Sequence, residues 1–450
     1  MSDTTNLTDS TVYSKRKGFC PFSISPLESY ASISGSEKIE KLQIISQRLD
    51  GLKILELNST AQGGGVAEML YSSVPFLNMI GVESEWKIIN GNPSYFECTK
   101  KLHNLLQGMK GSFTADMKET YINQLQECAE NNIIDYSPDV VIVNDPQPML
   151  LCQYLKRDGQ SWLWRCHIDI EPAIRSKNGL LSLINNWIVD YDAAIFSAAR
   201  YVFPPWPVPK FIIPPFIDPL SDKNRELTQE EIHKVLDKYN IDPKVPIIAQ
   251  VGRFDPWKGL DRTISTFRQV RKERKCQLVM AGGSASDDPE SGKILEGIYA
   301  DTREDEDIHV LNLSLANRTE NYTEVNALQR AASVIMQPST REGFGLVITE
   351  ALWKAKPVIA GNVGGIPFQI KRGQTGYFYQ NPQRTAEKII YLLDNPRVAE
   401  RVGKRGKRYV QEHFLIVDRI TDYLMAIDIT MNSASSKRKL VECVTGFHPW

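Results

Sequence analysis

Two glutamates lie eight positions apart in a glycine-rich segment of this 450-residue chain. Glu342 is followed by Gly343 and Gly345, and Glu350 comes after a run with a helical pattern. A helix N-terminus presents unpaired N–H groups and a partial positive charge, so it suits a phosphate or a diphosphate. Glycines let such a ligand approach the backbone closely. The spacing predicts one carboxylate at a loop tip, facing a sugar ring, and a second about two turns into the helix, facing a ribose diol. Two glutamates on a solvated helix start are the alternative for this segment alone.

Two cations occupy a second loop, earlier in the chain. Arg253 and Lys258 follow an apolar run that ends at Gly252, and a helical pattern begins near Gly259. Ligands of open α/β sheets bind beyond the carboxyl ends of the strands, where this loop is expected. Two permanent cations there would neutralise a diphosphate, so we expect neither a metal ion nor a resident cofactor. The acidic run 305–307 has the D-x-D pattern of a metal site, but it precedes a strand and is interpreted as a solvated loop.

Six segments together resemble retaining glycosyltransferases of family four and, among these, the trehalose glycosyltransferring synthases and trehalose phosphorylases. They are 63–68 (GGGVAE), 102–108 (LHNLLQG), 145–148 (DPQP), 162–169 (WLWRCHID), 254–259 (FDPWKG) and 341–345 (REGFG). The similarity extends from about residue 53 to residue 424. It implies the GT-B fold, an α/β architecture in which two Rossmann-like domains face each other across a cleft.

The resemblance also implies roles for individual residues. The residues expected to act on the reacting groups are Arg253, Lys258, Glu342 and His167. Those expected to bind the donor are Gly343, Phe344, Gly345, Glu350, Gly64 and Gly65. Those expected to bind the acceptor are Asp145, Gln147, Arg165, His103 and Asn104. One departure from the family pattern is Asn144, where the resemblance leads us to expect a histidine.

The residues of the first half have alternatives in their own chemistry. Asp145 and Gln147 follow an apolar run and could bind sugar hydroxyls, but Asp145 before a proline also suits a helix N-cap. His167 at the end of an apolar strand is, without the resemblance, a core residue. The glycines 63–65 suit either a tight turn or a close approach to a ligand.

Alternating strand and helix patterns organise the chain. Strands are predicted near 53–59, 84–90, 139–145, 162–168 and 193–198, and then near 246–252, 276–282, 308–313, 333–338 and 357–361. This alternation predicts parallel sheets with crossover helices. We expect a tail and lead-in at 1–50, an acceptor domain at 51–219, a donor domain at 220–413, a helix at 414–432 and a polar tail at 433–450. The resemblance suggests that this last helix returns to the first domain.

Composition excludes several classes of protein. With 42% apolar and 24% charged residues and a net charge of −1, the chain lacks the basic character of nucleic-acid or membrane-surface proteins. No apolar run approaches the length of a membrane span, and the N-terminus has no signal-peptide pattern. Seven cysteines without C-x-x-C spacing predict no disulfide framework, which suggests a cytoplasmic location. No G-x-G-x-x-G follows the first strand of either half, which argues against a dehydrogenase.

The sequence therefore predicts a retaining, metal-independent glucosyltransferase that makes α,α-trehalose from a nucleoside-diphosphate glucose and free glucose. A trehalose phosphorylase that uses glucose 1-phosphate is the alternative enzyme, and a non-catalytic sugar-nucleotide-binding regulator is the alternative of another class. The expected partners are small sugars and a nucleotide sugar, and the resemblance suggests a homodimer. The nucleotide base and the physiological direction stay open.

Overall fold

A computed structural model describes residues 11–13, 26–61, 64–131, 133–283 and 289–436. The chain divides into two compact units, of which unit 1 comprises Met1–Pro215 with Val417–Trp450 and unit 2 comprises Phe216–Ile416. Residues 1–10 and 14–25 of the expected tail and lead-in, Gly63 and the basic residues 437–439 lie outside the described residues.

Unit 1 is built around a seven-stranded sheet. Its strands are β1 (Thr11–Tyr13), β2 (Lys53–Asn58), β3 (Glu83–Ile88), β4 (Val140–Asn144), β5 (Ser161–Cys166), β6 (Ala193–Phe196) and β7 (Lys210–Ile212). Its helices are α1 (Leu27–Ser34), α2 (Ser36–Arg48), α3 (Gly65–Met79), α4 (Pro93–Leu106), α5 (Ala115–Glu130), α6 (Leu151–Leu155), α7 (Glu171–Arg175) and α8 (Leu180–Ile188). The strand order is β1-β3-β2-β4-β5-β6-β7, and every pairing is parallel except that of β1 with β3.

The strands of unit 1 are apolar over most of their length because helices connect and cover them. All five residues of β4 are buried, as are all six of β5. Parallel strands covered on both faces need such continuous apolar runs. The chain passes from β2 to β3 and then returns to β4 on the other side of β2. A topological switch point therefore lies between β2 and β4, at whose carboxyl ends open α/β sheets bind ligands.

Unit 2 contains a six-stranded parallel sheet. Its strands are β8 (Ile247–Val251), β9 (Gln277–Gly282), β10 (Ile308–Asn312), β11 (Val334–Gln337), β12 (Val358–Ala360) and β13 (Tyr377–Phe378). Its helices are α9 (Gln229–Lys238), α10 (Leu260–Arg271), α11 (Pro289–Thr302), α12 (Arg318–Ala331), α13 (Leu346–Trp353), α14 (Pro382–Asp394) and α15 (Pro396–His413). The strand order β10-β9-β8-β11-β12-β13 places a second switch point between β8 and β11. The loops that carry Arg253, Lys258 and Glu342 follow these two strands.

The last helix, α16 (Ile416–Ser436), groups with unit 1 from Val417 onward. Lys38 of α2 pairs with Asp418 at 2.6 Å, and Arg48 pairs with Asp428 at 3.2 Å. The hydroxyl of Tyr423 donates to the carboxylate of Glu56 on β2. Helix α16 thus contributes to the core of the first unit.

The predicted α/β architecture, with a parallel sheet in each half, is confirmed. The short strands β1, β7 and β13 were not among the predicted ones. They have only two or three residues, too few to produce an apolar period in the sequence.

Candidate functional site

The loop after β8 has a fixed backbone. Asp255 accepts a hydrogen bond from the amide of Trp257 at 2.9 Å and so caps the short 3-10 helix Pro256–Lys258. The side-chain amide of Gln250 donates to the carbonyl of Lys258 at 2.9 Å. Gly259 follows with φ +65°, and a Cβ there would lie 2.3 Å from the carbonyl oxygen of Pro338. Only glycine fits this position, and Lys258 is thereby held against the loop that follows β11.

Lys258 and Glu342 form the centre of the candidate site. Lys258 Nζ lies 2.6 Å from Glu342 Oε2, and the two side chains are 16% and 13% exposed. The hydroxyl of Ser339 donates to the same oxygen at 3.4 Å. Within the described residues, no group hydrogen-bonds to Glu342 Oε1. The carboxylate can therefore accept a ligand hydroxyl on one oxygen while it keeps Lys258 on the other.

The Glu342–Gly345 loop is shaped by close backbone contacts. Gly345 has φ +86° and directly precedes α13. The amide of Gly365 donates to the carbonyl of Gly343 at 3.0 Å, and Gln369 Nε2 donates to the carbonyl of Phe344 at 2.5 Å. A Cβ at Gly364 would lie 1.5 Å from the carbonyl oxygen of Glu342. These contacts hold the loop at the N-terminus of α13, where the helix dipole favours an anion.

Two arginines lie beside this centre. Arg253 is 52% exposed and pairs with Asp255 at 3.6 Å, so its charge is available to a ligand. The guanidinium of Arg341 stacks on the ring of Trp257, with its carbon 4.2 Å from the ring centroid. This stack joins the two loops that carry Lys258 and Glu342, and residue types alone did not predict it.

Glu350 lies deeper than Glu342. Its side chain is 3% exposed, and its Oε1 pairs with Lys223 Nζ at 2.9 Å. Its Oε2 accepts a long hydrogen bond of 3.5 Å from Gln329. Nearby, burial lowers the pKa of Lys354 to about 7, against the opposing effect of Glu350. Lys223 lies just after the predicted boundary between the two domains, and residue types alone did not predict this pairing.

Asp145 and His167 meet at the carboxyl ends of the neighbouring strands β4 and β5, beside the switch point of unit 1. Asp145 has φ +62°, and its amide donates to the carbonyl of Arg165 at 2.8 Å. Its carboxylate accepts from the amide of His167 at 2.7 Å. Burial raises the pKa of Asp145 to about 7, although the bond from His167 and the charge of Arg165 act in the opposite direction. The structure therefore brings three of the predicted residues of this unit together.

A buried polar chain supports His167. His167 Nε2 lies 2.9 Å from Asn144 Oδ1, and Asn144 Nδ2 donates to Glu56 Oε2 at 2.7 Å. Burial and the charge of Arg165 hold the pKa of His167 well below its usual value. Arg165 is itself buried, with its guanidinium carbon 5.0 Å from the ring centroid of Tyr423. Asn144, the departure from the family pattern, is thus a fully buried partner of His167.

The other predicted residues of unit 1 lie outside the group formed by Asp145, Arg165 and His167. Gln147 accepts a hydrogen bond from the hydroxyl of Tyr95 on its backbone carbonyl, at 2.7 Å. Its side-chain Oε1 is buried and has no hydrogen-bond partner among the described residues. Gly64 precedes α3, Gly65 is its first residue, and a Cβ at Gly64 would meet nothing within 4 Å. His103 and Asn104 lie half-buried in the last turn of α4.

Comparison with known proteins identifies the family. Residues 56–203 match the family described as trehalose synthase, N-terminal domain, and residues 231–409 match the glycosyl transferases group 1. The chain is 42% identical over 402 residues to the trehalose synthase of Pyrococcus horikoshii, with 88% of this chain and 95% of that protein covered. The chain belongs to the trehalose synthase family. It is a glycosyltransferase of the GT-B fold, as the sequence motifs predicted.

More distant relatives agree with this assignment. A trehalose phosphorylase of Grifola frondosa is 29% identical over 385 residues, covering 76% of this chain but only 52% of the phosphorylase. The solved structure of sucrose-phosphate synthase from Thermosynechococcus elongatus superposes with a TM-score of 0.64 at 19% identity, covering 85% of this chain and all of that one. At that identity the similarity concerns the fold alone. In the part of the trehalose synthase homologue that the structure describes, no helix is long and apolar enough to cross a membrane.

Proposed function

We propose that this member of the trehalose synthase family transfers glucose from a nucleoside diphosphate to free glucose, with retention of configuration and without a metal ion. The product would be α,α-trehalose. The observation that supports this most directly is the Lys258–Glu342 pair at the N-terminus of α13, at the switch point of a parallel sheet.

In this proposal the donor lies against the loops after β8 and β11. Lys258 and Arg253 supply positive charge, and the amides at the start of α13 supply hydrogen bonds to the diphosphate. Glu342 accepts hydroxyls of the glucose on its Oε1. Glu350 would serve the ribose, as the family resemblance implies.

The reaction then needs no protein nucleophile. The hydroxyl oxygen of the acceptor bonds to C1 of the donor glucose on the face from which the phosphate oxygen departs. The C1–O bond to the diphosphate breaks, and the departing phosphate oxygen takes the proton of the acceptor hydroxyl. Negative charge grows on the diphosphate in this step, so preorganised cations stabilise the transition state more than the ground state. The positive charges of Lys258 and Arg253 can fill the role that a metal ion has in other transferases.

Unit 1 supplies the acceptor side of the proposal. Asp145, Gln147 and Arg165 offer carboxylate, amide and guanidinium groups of the kind that bind sugar hydroxyls. His103 and Asn104 are assigned to the acceptor by the resemblance alone, and Gly64 and Gly65, at the start of α3, are assigned to the donor. Alanine substitution of His103 would test the weakest of these assignments, with a raised glucose KM as the expected result.

A trehalose phosphorylase is the second candidate, because the Grifola frondosa phosphorylase is a relative and an anion site for a diphosphate also suits phosphate. The extent of the matches favours the synthase. The alignment covers 95% of the Pyrococcus horikoshii synthase but about half of the phosphorylase.

The test is a matrix of substrates analysed by NMR of the products. UDP-, ADP- and GDP-glucose and glucose 1-phosphate are each combined with glucose or glucose 6-phosphate, with and without EDTA. We expect trehalose from at least one nucleotide donor with free glucose, unaffected by EDTA, and the productive donor identifies the base. Trehalose from glucose 1-phosphate alone would assign the chain to the phosphorylases, and loss of product in EDTA would overturn metal independence. Trehalose from maltose without any donor would contradict the nucleotide-sugar reaction altogether.

A further inference from the structure

We propose that Asn144, oriented by Leu57 and Glu56, is a positioning residue that holds His167 as the neutral Nε2–H tautomer during glucosyl transfer. This inference rests on the proposed function and on the family resemblance, which assigns His167 to the residues that act on the reacting groups. It assigns a role to the one residue of the 144–148 segment that departs from the family pattern.

The orientation of the Asn144 amide follows from its neighbours. Asn144 Nδ2 lies 3.2 Å from the backbone carbonyl oxygen of Leu57 and 2.7 Å from Glu56 Oε2. A carbonyl oxygen can only accept, so the NH2 group must face Leu57 whatever the protonation state of Glu56. Both N–H bonds of the amide are then used, and Oδ1 is the atom that faces His167.

This orientation determines the tautomer of His167. Asn144 Oδ1 only accepts, so His167 Nε2, 2.9 Å away, must carry the proton. Nδ1 is buried and has no hydrogen-bond partner among the described residues. A proton on Nδ1 would leave a buried donor unsatisfied, which costs free energy. The ring is therefore neutral, with its lone pair on Nδ1.

The charged groups around the ring agree with a neutral His167. The charge of Arg165 on β5 disfavours a second positive charge on the His167 ring. The carboxylate of Asp145, after β4, accepts a hydrogen bond from the main-chain amide of His167 at 2.7 Å. Glu56 on β2 is fully buried and accepts from Asn144, and its other oxygen accepts from Tyr423 on α16. Asp169, two residues further, bonds instead to the amide of Glu171 at 3.0 Å.

The side chain and the main chain of His167 are consequently bound by two adjacent residues. Asn144 binds the ring and Asp145 binds the main-chain amide, both at the carboxyl end of β4. As the C1–O bond to the diphosphate breaks in the proposed reaction, positive charge develops on the sugar, and a neutral ring does not repel this charge as an imidazolium would. Loss of the Asn144 amide frees the ring to exchange tautomers and to move, and misplacement of a group next to the reacting sugar lowers the rate.

NMR of the full chain labelled with ¹⁵N-histidine tests the tautomer without any need for turnover. His167 is assigned by the loss of its signals in His167→Gln. In the wild-type protein we expect a protonated nitrogen that correlates with both carbon-bound ring protons, which identifies Nε2–H, and an unprotonated Nδ1. In Asn144→Leu we expect both nitrogens to shift toward tautomer-averaged positions.

The matched control is Asn58→Leu. Asn58 is a buried asparagine at the end of the neighbouring strand β2, and its amide donates to the carbonyl of Thr60 at 2.8 Å. The His167 signals of this variant should match the wild type.

The kinetic arm uses whichever donor and acceptor the wild-type protein turns over. We expect Asn144→Leu to lower kcat by roughly 10- to 100-fold with little change in donor KM. Glu56→Gln should keep the wild-type tautomer, because the Leu57 carbonyl still orients Asn144. An Nδ1–H tautomer or an imidazolium in the wild type, an unchanged tautomer in Asn144→Leu, or an unchanged kcat in that variant would each overturn the inference. A wild-type protein that makes no trehalose contradicts the proposed function instead, and leaves the NMR result to decide the tautomer.

Discussion

Removal of the Lys258 charge is the most direct test of the donor site. Lys258→Met keeps most of the length of the side chain and removes the ammonium group that lies 2.6 Å from Glu342 Oε2. Glu342→Gln keeps the shape of the partner and removes its charge. The two single variants and the double variant together form a cycle that separates the two contributions.

The expected magnitude follows from burial and distance. Exposed ion pairs contribute less than about 1 kcal/mol. Both side chains of this pair are less than one fifth exposed, so we expect a larger interaction energy here. Two unit charges about 4 Å apart interact by about 4 kcal/mol at an effective dielectric constant near 20. Loss of one preorganised charge at a developing anion lowers kcat by roughly 10²- to 10³-fold. Lys258→Met also leaves Glu342 unpaired beside a diphosphate, and Glu342→Gln removes that repulsion. The double variant should therefore be less impaired than the product of the single effects, with a coupling of about 1–3 kcal/mol.

Steady-state kinetics with the donor that the substrate matrix identifies measure this cycle. We expect kcat to fall more than donor KM rises, because the charge grows in the transition state. Lys272→Met, on an exposed lysine that donates to Gln269 at 3.0 Å, is the control and should match the wild type. A kcat for Lys258→Met within about threefold of the wild type, or strictly multiplicative effects in the double variant, would refute the role of Lys258 and its coupling to Glu342.

Three further predictions concern the groups around this centre and the acceptor side. Glu350→Ala should raise donor KM more than it lowers kcat, as measured by steady-state kinetics; an unaltered donor KM would argue against the ribose assignment. Gly364→Ala should lower the melting temperature far more than Gly373→Ala, because the new Cβ at position 364 would lie 1.5 Å from the Glu342 carbonyl oxygen. Gly373 also has a positive φ but open space around it, so Gly373→Ala should reduce the free energy of unfolding by only about 1–2 kcal/mol. Similar melting temperatures for both would show that the loop relaxes without cost. The raised pKa of Asp145, about 7 against 3.8, means that the folded state binds the extra proton and loses stability as pH rises from about 4 to about 7. Asp145→Asn should therefore stabilise the protein relative to wild type at pH 8 more than at pH 5, and a difference independent of pH would contradict the buried carboxyl.

The parts of the site that the sequence predicts are local in the chain. The Glu342–Gly345 segment carries its own signals, since glycine marks the positive φ that starts α13 and the preceding apolar run marks β11. The same holds for the segment from Arg253 to Gly259, where a strand, a capping aspartate and a left-handed glycine follow one another. Such short-range patterns predict both where a strand, loop or helix lies in the sequence and which of these elements it is.

The partners of these residues come from distant parts of the chain and have no local signal. Lys223 lies close to the predicted domain boundary at 219–220, far along the chain from the Glu350 with which it pairs. Asn144 and Glu56 are 88 positions apart, and Tyr423 lies 367 positions from Glu56. Glu56 lies between leucines in β2, and such a buried carboxyl group needs partners, since a buried charge must be paired. Residue types do not reveal which distant groups supply them.

The two glutamates of the motif differ in what they can offer a ligand. Glu342 uses Oε2 for both Lys258 and Ser339, which leaves Oε1 without a protein partner in the part of the chain that the structure describes. Glu350 has both oxygens engaged, one by Lys223 and the other by Gln329 at 3.5 Å. A sugar hydroxyl can join Glu342 without breaking any bond, whereas a ribose hydroxyl at Glu350 must replace the long bond from Gln329 or displace Lys223. Gln329→Leu removes the weaker competitor and should lower donor KM, while Lys223→Met leaves a buried carboxylate unpaired and should destabilise unit 2. An increase of donor KM in Gln329→Leu would mean that this amide assists nucleotide binding and does not compete with it.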